Sequence, residues 1–472
     1  MAVIGSRERL AFNFGGGTVP SRGLVDAAIA RENEPTFATA PYAEPRDWGY
    51  AGLLAFTLVL MTRPQDTLPF LDPFHLAEMC AIIGIAPMVI HRFASRQPVF
   101  RVTPETTGLI ALGIAILLSV PFSVWPGGSF GLFTDSYLKL LVVFVLMMNT
   151  LTTPKRIDQI TWLIVLCCGF IAARSVYDYA RGVNLVEGDR LAGPVGGIFG
   201  NPNDLAMNMV TFLPAAAVFG LSPRYPTSRR VIAAGCATMM LATVVFTKSR
   251  GGFLGLAVVM LVLMVLGGKV RRGFGTMAVV AVVCSTPFLP ASFWERMASI
   301  VDDRKDKEEY TGTREARWNV MKEGLRAFAE RPLTGVGAGQ FQNYNPPGRL
   351  ERWRETHNAP IQVAAETGVS GVAAFLFLVA CAGVGARTTR RLLEKPARGP
   401  DRLGTVLPEP DRRAMYTLTV AMTAGFFGWF VCSLFASVAY NWTFYYLLAL
   451  IVASREMTLA RLRAARAAST GT

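Results

Sequence analysis

The chain is poor in charged residues, poorer still in histidine, and has no recognisable metal-binding or disulfide pattern. Charged residues make up 17% of its 472 residues, against 52% hydrophobic residues and a mean hydropathy of +0.36. So little charge beside so much apolar surface argues against a string of soluble domains. Only three histidines occur, and the seven cysteines show no Cys-x-x-Cys or Cys/His ligand spacing. These absences argue against a disulfide framework and a zinc motif, and leave the cysteines as small apolar side chains.

Long apolar segments are what the chain has instead. They come in blocks of about 16 to 25 residues, the length that crosses a bilayer core of roughly 30 Å. The blocks predict an all-α polytopic membrane protein with about twelve transmembrane helices and a large extracytoplasmic helical loop between spans 9 and 10. The predicted spans are 48–62, 74–91, 106–124, 136–152, 157–175, 204–221, 230–247, 251–268, 273–291, 359–386, 414–438 and 440–455.

The same pattern divides the chain into five segments. We expect a flexible cytoplasmic N-terminal tail at 1–47, spans 1–9 at 48–291, an extracytoplasmic (periplasmic) loop at 292–358, spans 10–12 at 359–455, and a cytoplasmic C-terminal tail at 456–472.

Positive charge is concentrated in alternate loops, such as the one containing Lys155 and Arg156, while the intervening short loops have almost none. Loops of this kind are cytoplasmic in most helical membrane proteins, so the net charge of +14 is a topology signal and not evidence for nucleic-acid binding. We therefore expect both termini in the cytoplasm. The loop 181–203, the turn 248–252 and the insertion 292–358 then share the extracytoplasmic face.

The segment 312–358 is the core of the only long polar insertion in the C-terminal two thirds. Thr313 is placed to cap a helix, and Arg331-Pro332 is placed to end it. Arg314 falls in the first turn, where free backbone N–H groups and the helix dipole favour an anion and a guanidinium adds a fork suited to phosphate. A solvated or headgroup-facing arginine is the alternative. The predicted apolar stripe of this helix is Trp318, Met321, Leu325 and Phe328.

Arg250 and His357 stand at two other helix ends on the same expected face. Arg250 lies in a short Ser-Arg-Gly-Gly turn between two apolar helices, where an interfacial snorkelling arginine is the alternative. His357 precedes the tenth span. The dipole at that helix start disfavours the imidazolium and helps keep the ring neutral near pH 7, as a general base requires.

The loop 189–204 is rich in Asn, Asp, Gly and Pro, which predicts turns. Its Asn and Asp side chains are candidates either for contacts to sugar hydroxyls or for capping the sixth span at Asn203. The charged run 302–309 mixes both signs and is interpreted as a solvated loop and not a metal site. The glycines between 335 and 339 predict a turn.

Taken in order, these short motifs resemble the O-antigen ligase family over roughly residues 195 to 375. That family also includes lipid-linked polysaccharide polymerases and bacterial protein O-oligosaccharyltransferases. The motifs that carry the resemblance are Phe199-Gly200-Asn201-Pro202-Asn203, Ser249-Arg250-Gly251, Gly312-Thr313-Arg314 with Trp318, Pro332-Leu333-Thr334-Gly335-Val336-Gly337, His357-Asn358 and Glu366-x-Gly368.

The resemblance implies a GT-C-like fold and metal-independent transfer of a glycan from undecaprenyl pyrophosphate to an acceptor hydroxyl in the bacterial inner membrane, without a cofactor. By position, Arg250 and Arg314 match the arginines that hold the pyrophosphate in that family, and His357 matches its essential histidine. The expected partners are the lipid-linked donor, a glycolipid or glycan acceptor and the bilayer, and no nucleic acid. The further residues implied as assisting arginines or glycan contacts are Arg190, Arg317, Asn201, Asn203 and Asn358.

Several alternatives remain open at this point. Ligase-type transfer is favoured, polymerisation comes next, and transfer to protein is third, since all three need the same donor chemistry. A twelve-span transporter would place charge near the bilayer midplane and show repeated halves. Here Glu78 and Lys139 are the main charges near span interiors, and no repeat is evident. A metal-dependent glycosyltransferase would use acids of the first external loop, Asp66 and Asp72, which form no paired-acid motif.

Overall fold

The computed structural model describes residues 47–187, 189–266, 294, 314–350, 353–394 and 407–470. Several features of the sequence analysis lie outside these residues: the predicted ninth span at 273–291, the charged run 302–309, Thr313 and the side chain of Arg314. The chain forms two units, of which Met1–Arg46 with Arg463–Thr472 is one and Asp47–Leu462 is the other. The helices discussed below belong to the second unit, except for the end of the C-terminal helix from Arg463 onward.

Most of the described chain is helical. The first half contains α1 (Trp48–Thr62), α2 (Pro64–Thr67), α3 (Leu76–Ala94), α4 (Pro104–Ser119), α5 (Pro126–Gly131), α6 (Leu138–Thr150) and α7 (Pro154–Ala180). A two-stranded antiparallel hairpin follows, β1 (Leu185–Val186) and β2 (Arg190–Leu191). The remaining helices are α8 (Pro202–Leu221), α9 (Thr227–Phe246), α10 (Arg250–Leu266), α11 (Arg314–Glu330), α12 (Ala359–Leu393), α13 (Glu409–Ser433) and α14 (Trp442–Thr470).

Helices occupy every predicted span that falls within the described residues. Eight helical segments there are long and apolar enough to cross a membrane, and α1 and α10 are shorter apolar helices. This supports the prediction of a helical membrane protein. The count of twelve spans and the position of the large loop among them stay predictions.

Two predicted spans differ from the observed helices in an informative way. The fourth was expected at 136–152, but a continuous helical segment runs over Pro126–Thr150, because Pro126 opens it at a favoured first position and a π-helical turn at Leu132–Tyr137 joins α5 to α6. The tenth was expected as one helix, yet Gly368 interrupts α12 with a left-handed backbone (φ 68°). Residues 359–367 therefore form a short helix of their own before the long one.

Helix α8 lies at the centre of the bundle, and α3 lies at its edge. Nearly every residue of α8 from Leu205 to Phe219 is buried, as its neighbours α7, α9, α10 and α13 cover all its faces. Only Gly84 and Met88 of α3 are buried, although the helix is apolar all round. An apolar helix with such exposure suits contact with lipid.

Candidate functional site

The loop before α8 and the turn between α9 and α10 meet through one buried arginine. Arg190, in β2, has its side chain only 3% exposed. Its guanidinium donates from Nη1 to Glu187 Oε2 at 2.6 Å, from Nε to the carbonyl of Thr247 at 3.1 Å, and from Nη2 to Asn203 Oδ1 at 2.9 Å. One side chain thus joins the hairpin, the start of α8 and the end of α9. Arg250, the first residue of α10, acts on Arg190 electrostatically.

A second buried cation lies in the same turn. Lys248 is 2% exposed and donates from Nζ to Asp189 Oδ1 at 2.7 Å. Lys248 and Asp189 both adopt left-handed backbone conformations, with φ of 48° and 62°. Non-glycine residues in this region cost of order 1–3 kcal/mol each and persist only where the surroundings enforce them, often at functional sites.

Asn201 and Asn203 have different roles although they are two residues apart. Asn201 caps α8, since its Oδ1 accepts from the backbone N–H groups of Asn203 and Asp204 at 2.9 Å each. The prediction that Asn203 caps this helix is therefore wrong. Because Pro202 opens the helix, Asn203 already lies inside its first turn. Its Oδ1 accepts instead from Arg190 and from the hydroxyl of Ser249, both at 2.9 Å.

The segment before α12 is held by the loop between α13 and α14. Ser437 Oγ accepts from the backbone N–H of His357 at 2.9 Å and contacts the hydroxyl of Thr356 at 3.0 Å. Asn358 caps α12 by accepting from the N–H of Ile361 at 3.0 Å, and it also donates to the carbonyl of Leu434 at 3.2 Å. Both the oxygen and the nitrogen of the Asn358 amide are therefore hydrogen-bonded within the protein.

His357 is enclosed among arginines and its ring is neutral at pH 7. Burial, followed by the charges of Arg317 and Arg354, lowers the pKa of His357 to about 4, and Arg190 adds to the effect while Glu187 opposes it. A neutral ring was expected from the helix dipole. The actual causes are burial and surrounding cations. The backbone of His357 is left-handed, with φ of 50°.

Two carboxyl groups also lie here. Burial raises the pKa of Glu355, against a hydrogen bond from Ser437 that lowers it, although its side chain still reaches solvent. Glu355 acts electrostatically on Asp204 in the first turn of α8. Among the described residues, no three His, Cys, Asp or Glu side chains cluster as metal ligands would.

Helix α11 begins at Arg314, as predicted, and carries Arg317 toward His357. Its contact with the bundle is not made through the predicted apolar stripe, since Trp318 and Leu325 are 56% and 52% exposed. Gly324 lies at the contact instead, where a Cβ atom would stand 2.7 Å from Ile361 Cγ2. Val320 and Ala327 are the other buried residues of this face. Small side chains allow the close approach that Trp318 would prevent.

The glycine turn after α11 fixes the short helix that follows His357. Gly335, Gly337 and Gly339 all have positive φ, as a turn of this kind requires. The N–H of Gly337 donates to the carbonyl of Glu366 at 3.0 Å, and the N–H of Gly339 donates to Glu366 Oε2 at 2.8 Å. The N–H of Val369 bonds the carbonyl of Pro332 at 2.8 Å. The Glu366-x-Gly368 motif thus locks this turn to the break in α12.

The structure brings Arg190, Arg250, Arg317 and His357 into one electrostatically coupled group, with Asn203 bound to Arg190. Asn201 and Asn358 lie beside this group as helix caps. Arg314 is the first residue of α11, but its side chain is not among the parts of the chain that the structure describes. Sequence reasoning missed four participants: Glu187, Lys248, Arg354 and Ser437. Lys248 and Arg354 are cations close in sequence to the motif residues Ser249 and His357, and this closeness could have identified them. Nothing in the sequence around Glu187 or Ser437 indicated that they belong to the site.

Comparison with known proteins bears on most, but not all, of this group. No curated protein matches the chain. Residues 235–376, under a third of the chain, match a protein-family model. The match spans Arg250, Arg314, Arg317, His357 and Asn358, and it leaves out Arg190, Asn201 and Asn203. The family is described as O-Antigen ligase, so the resemblance carried by the motifs is confirmed, and residues 235–376 of this chain are similar to the O-antigen ligase family.

Proposed function

We propose that the protein transfers a glycan from undecaprenyl pyrophosphate to an acceptor hydroxyl on the periplasmic face of the bacterial inner membrane, in the manner of an O-antigen ligase. The family match supports a glycan transferase of the ligase or polymerase type. The observation that carries the finer proposal is a neutral histidine enclosed by arginines at the junction of three loops. Both termini are then cytoplasmic, as the distribution of positive charge predicts.

Fixed positive charge is what a pyrophosphate leaving group requires. Arg250 and Arg314 are proposed to hold the pyrophosphate, with Arg190 and Arg317 assisting. Guanidinium groups bind phosphate oxygens in a bidentate manner, and those held by the protein need little reorganisation as charge develops. Arg190 is held in this way by Glu187, Asn203 and the Thr247 carbonyl. Lys248, although cationic, is already paired with Asp189 and is proposed to position the turn.

His357 is proposed to take the proton of the attacking hydroxyl. The acceptor oxygen forms a bond to the anomeric carbon, the bond from that carbon to the phosphate oxygen breaks, and undecaprenyl pyrophosphate leaves with the bonding electron pair. A ring with a pKa of about 4 is a weak base in the free protein. A bound pyrophosphate supplies negative charge that offsets Arg317 and Arg354. The pKa of the ring therefore rises toward the working pH once the donor is bound.

Ligase-type transfer to a lipid acceptor is the leading proposal. Polymerisation of a lipid-linked glycan and transfer to a protein hydroxyl are the alternatives. A transporter is disfavoured because the charged residues described above lie in loops and first helical turns and not along a midplane path.

The proposal is tested by reconstituting the purified protein with a defined undecaprenyl-pyrophosphate oligosaccharide and each acceptor class in turn. We expect glycan transfer that persists in a chelator. His357→Ala, Arg250→Met and Arg314→Ala should each lose at least 100-fold in rate, since loss of one charge-stabilising donor costs about 3 kcal/mol.

His91→Ala is the matched control. His91 lies in the last turn of α3, away from the loops of the site, and its replacement should leave the rate unchanged. Normal transfer by the folded His357→Ala and Arg314→Ala proteins contradicts the proposal, and loss of transfer in chelator contradicts metal independence.

A further inference from the structure

Helix α11 carries an apolar stripe that the bundle does not cover. Trp318 and Leu325 are exposed over more than half of their surface, and Met321 and Phe328 of the same stripe are partly exposed. Their spacing places all four along one side of the helix. Contiguous exposed apolar surface on a helix that is otherwise polar marks a place of contact with another component.

The helix has three distinct faces. Val320, Gly324 and Ala327 form the buried face that packs against α12. Because successive residues are rotated by roughly 100° about the helix axis, the apolar stripe lies roughly 110° from this buried face. A third face carries the exposed charged residues Glu315, Lys322, Arg326 and Glu330. The stripe therefore faces neither the bundle nor the polar side of the helix.

The end of α11 is tied to the connection between two membrane-spanning segments. Arg331 donates from Nη1 to the carbonyl of Phe122 at 3.1 Å, and the N–H of Val124 donates to the carbonyl of Val336 at 3.0 Å. One segment long and apolar enough to span the bilayer ends at Phe122, and the next begins at Pro126. So short a connection between two spans lies at a boundary of the bilayer. The end of α11 consequently lies at this boundary as well.

The exposed apolar surface continues from this end of α11 onto α12. Leu333 is 74% exposed, and the carbonyl of its neighbour Pro332 accepts from the N–H of Val369 at 2.8 Å. Val369 is itself 49% exposed, and Leu376 and Phe377 are exposed two turns further along the same helix. Exposed apolar side chains on a spanning helix face lipid. The apolar surface at the end of α11 is therefore continuous with a lipid-facing surface.

The aromatic and basic side chains of this surface are those of a membrane interface. Trp125 is exposed in the connection between the two spans, and Trp318 is exposed at the other end of the stripe. The Lys322 ammonium group lies 5.6 Å from the centre of the Trp318 ring. Tryptophan is enriched at membrane interfaces, and lysine there extends its charge toward the headgroups. A protein partner is less suited to this surface, because lysine is depleted in protein interfaces.

We infer that α11 is an interfacial helix, whose apolar stripe from Trp318 to Phe328 contacts the lipid of one leaflet together with Leu333. The partner is the bilayer that the protein spans and not a second protein, because the surface is continuous with the lipid-facing residues of α12. The same helix carries Arg317, which acts electrostatically on His357. One rigid element thus connects lipid contact with the position of an arginine of the site. The inference does not depend on which reaction the site performs.

The labelling experiment replaces Leu325 by the photoreactive residue p-benzoylphenylalanine in the full-length protein, in nanodiscs of phosphatidylethanolamine and phosphatidylglycerol. Arg326 is the matched control position, because its side chain is 67% exposed and projects roughly 100° away, on the charged face. Mass spectrometry of the α11 peptide should find lipid adducts at least about fivefold more often for position 325 than for position 326. Equal yields, no lipid adduct at position 325, or adducts to another segment of this chain or to a second copy overturn the inference.

A quenching experiment tests the same contact without an unnatural residue. The fluorescence of Trp318 is obtained as the difference between the unmodified protein and Trp318→Phe, in nanodiscs of ordinary lipid and of lipid with brominated acyl chains. Brominated lipid should lower this difference at least about twofold. The same difference for Trp429→Phe should not change, since Trp429 is 0% exposed inside the bundle. Equal Trp318 fluorescence in the two lipids overturns the inference. Neither measurement needs glycan transfer, so failure of the proposed function leaves both outcomes interpretable.

Discussion

An arginine lies at each end of helix α9, Arg229 in its first turn and Arg190 of β2 at its last turn, and the two have different surroundings. Arg229, in its first turn, lies 2.9 Å from Asp158 and has the rings of Trp162, Phe219 and Tyr225 within 4.9 Å of its Cζ atom. Arg190 bonds the Thr247 carbonyl at the other end, where its electrostatic neighbours include a second arginine. Both arginines have a carboxylate partner, Asp158 for Arg229 and Glu187 for Arg190. Three aromatic rings also cover Arg229, whereas Arg190 has the cation of Arg250 as a further neighbour. The comparison separates an arginine that joins helices from one that belongs to the cationic group around His357.

Replacing Arg190 should have the largest effect on catalysis and therefore tests the difference between the two arginines most directly. Arg190→Met should lower kcat by about 100- to 1,000-fold, as expected for loss of a preorganised charge-stabilising group. Glycan transfer in reconstituted vesicles measures the effect, and thermal unfolding in detergent checks the fold. A variant with a normal melting temperature and normal kcat would remove Arg190 from the site.

Replacing Arg229 should give the reverse pattern. Arg229→Met leaves Asp158 without its cation and removes three cation–π contacts, so we expect a loss of about 2 kcal/mol in stability with kcat within a few-fold of normal. Differential scanning fluorimetry measures the stability. Arg224→Met, at a more exposed ion pair, is the control and should cost no more than about 0.5 kcal/mol. A large fall in kcat for the folded Arg229 variant would end the distinction between the two ends of α9.

The pH dependence of the reaction tests the cationic surroundings of His357. The pKa of His357 near 4 lies below the ordinary value of 6.5, so the ring stays neutral as pH falls from 7 and gains its proton only near pH 4. The acid limb of kcat/KM should therefore lie near 4, and that of kcat should lie higher, because bound pyrophosphate raises the pKa of the ring. Arg354→Met should move the kcat/KM limb upward. A limb at 6.5 that Arg354→Met does not move would contradict this account.

The fold could be predicted from sequence further than the site. Bilayer thickness dictates the length of an apolar helix, so 202–221 and 227–246 are recognisable to within a few residues as spans. The break at Gly368 was not predictable, since it depends on backbone contacts from Pro332 and Leu333 in a distant turn. Hydrophobicity also pointed to the wrong face of α11, because close packing against Ile361 selects Gly324, whose small size carries no apolar signal.

The candidate site was partly predictable for a different reason. Arg250 and His357 stood out because charge is scarce in this chain, and the topology put their loops on one face. Arg190 was expected only as an assisting arginine, from the family resemblance. The pairing of Lys248 with Asp189 and the support of His357 by Ser437 arise only when distant loops meet. The pairing of Glu78 with Lys139 is less predictable still, since these residues are sixty-one positions apart and meet only when α3 packs against α6.

The smallest effects should come from Asn201 and Asn203. Like Arg229 and Arg190, one of these two residues has a structural role and the other belongs to the candidate site. Asn203→Ala removes a hydrogen-bond acceptor from Arg190 and Ser249. Loss of one or two such hydrogen bonds, at about 1 kcal/mol each, should lower kcat by roughly 5- to 30-fold with little change in stability. Asn201→Ala removes the cap of α8 and should cost about 1 kcal/mol of stability with a smaller change in kcat. Measuring kcat and melting temperature for both variants distinguishes the roles. If Asn201→Ala lowers kcat more than Asn203→Ala does, Asn201 contacts the substrate. The proposal that Asn203, through Arg190, matters more for the reaction is then wrong.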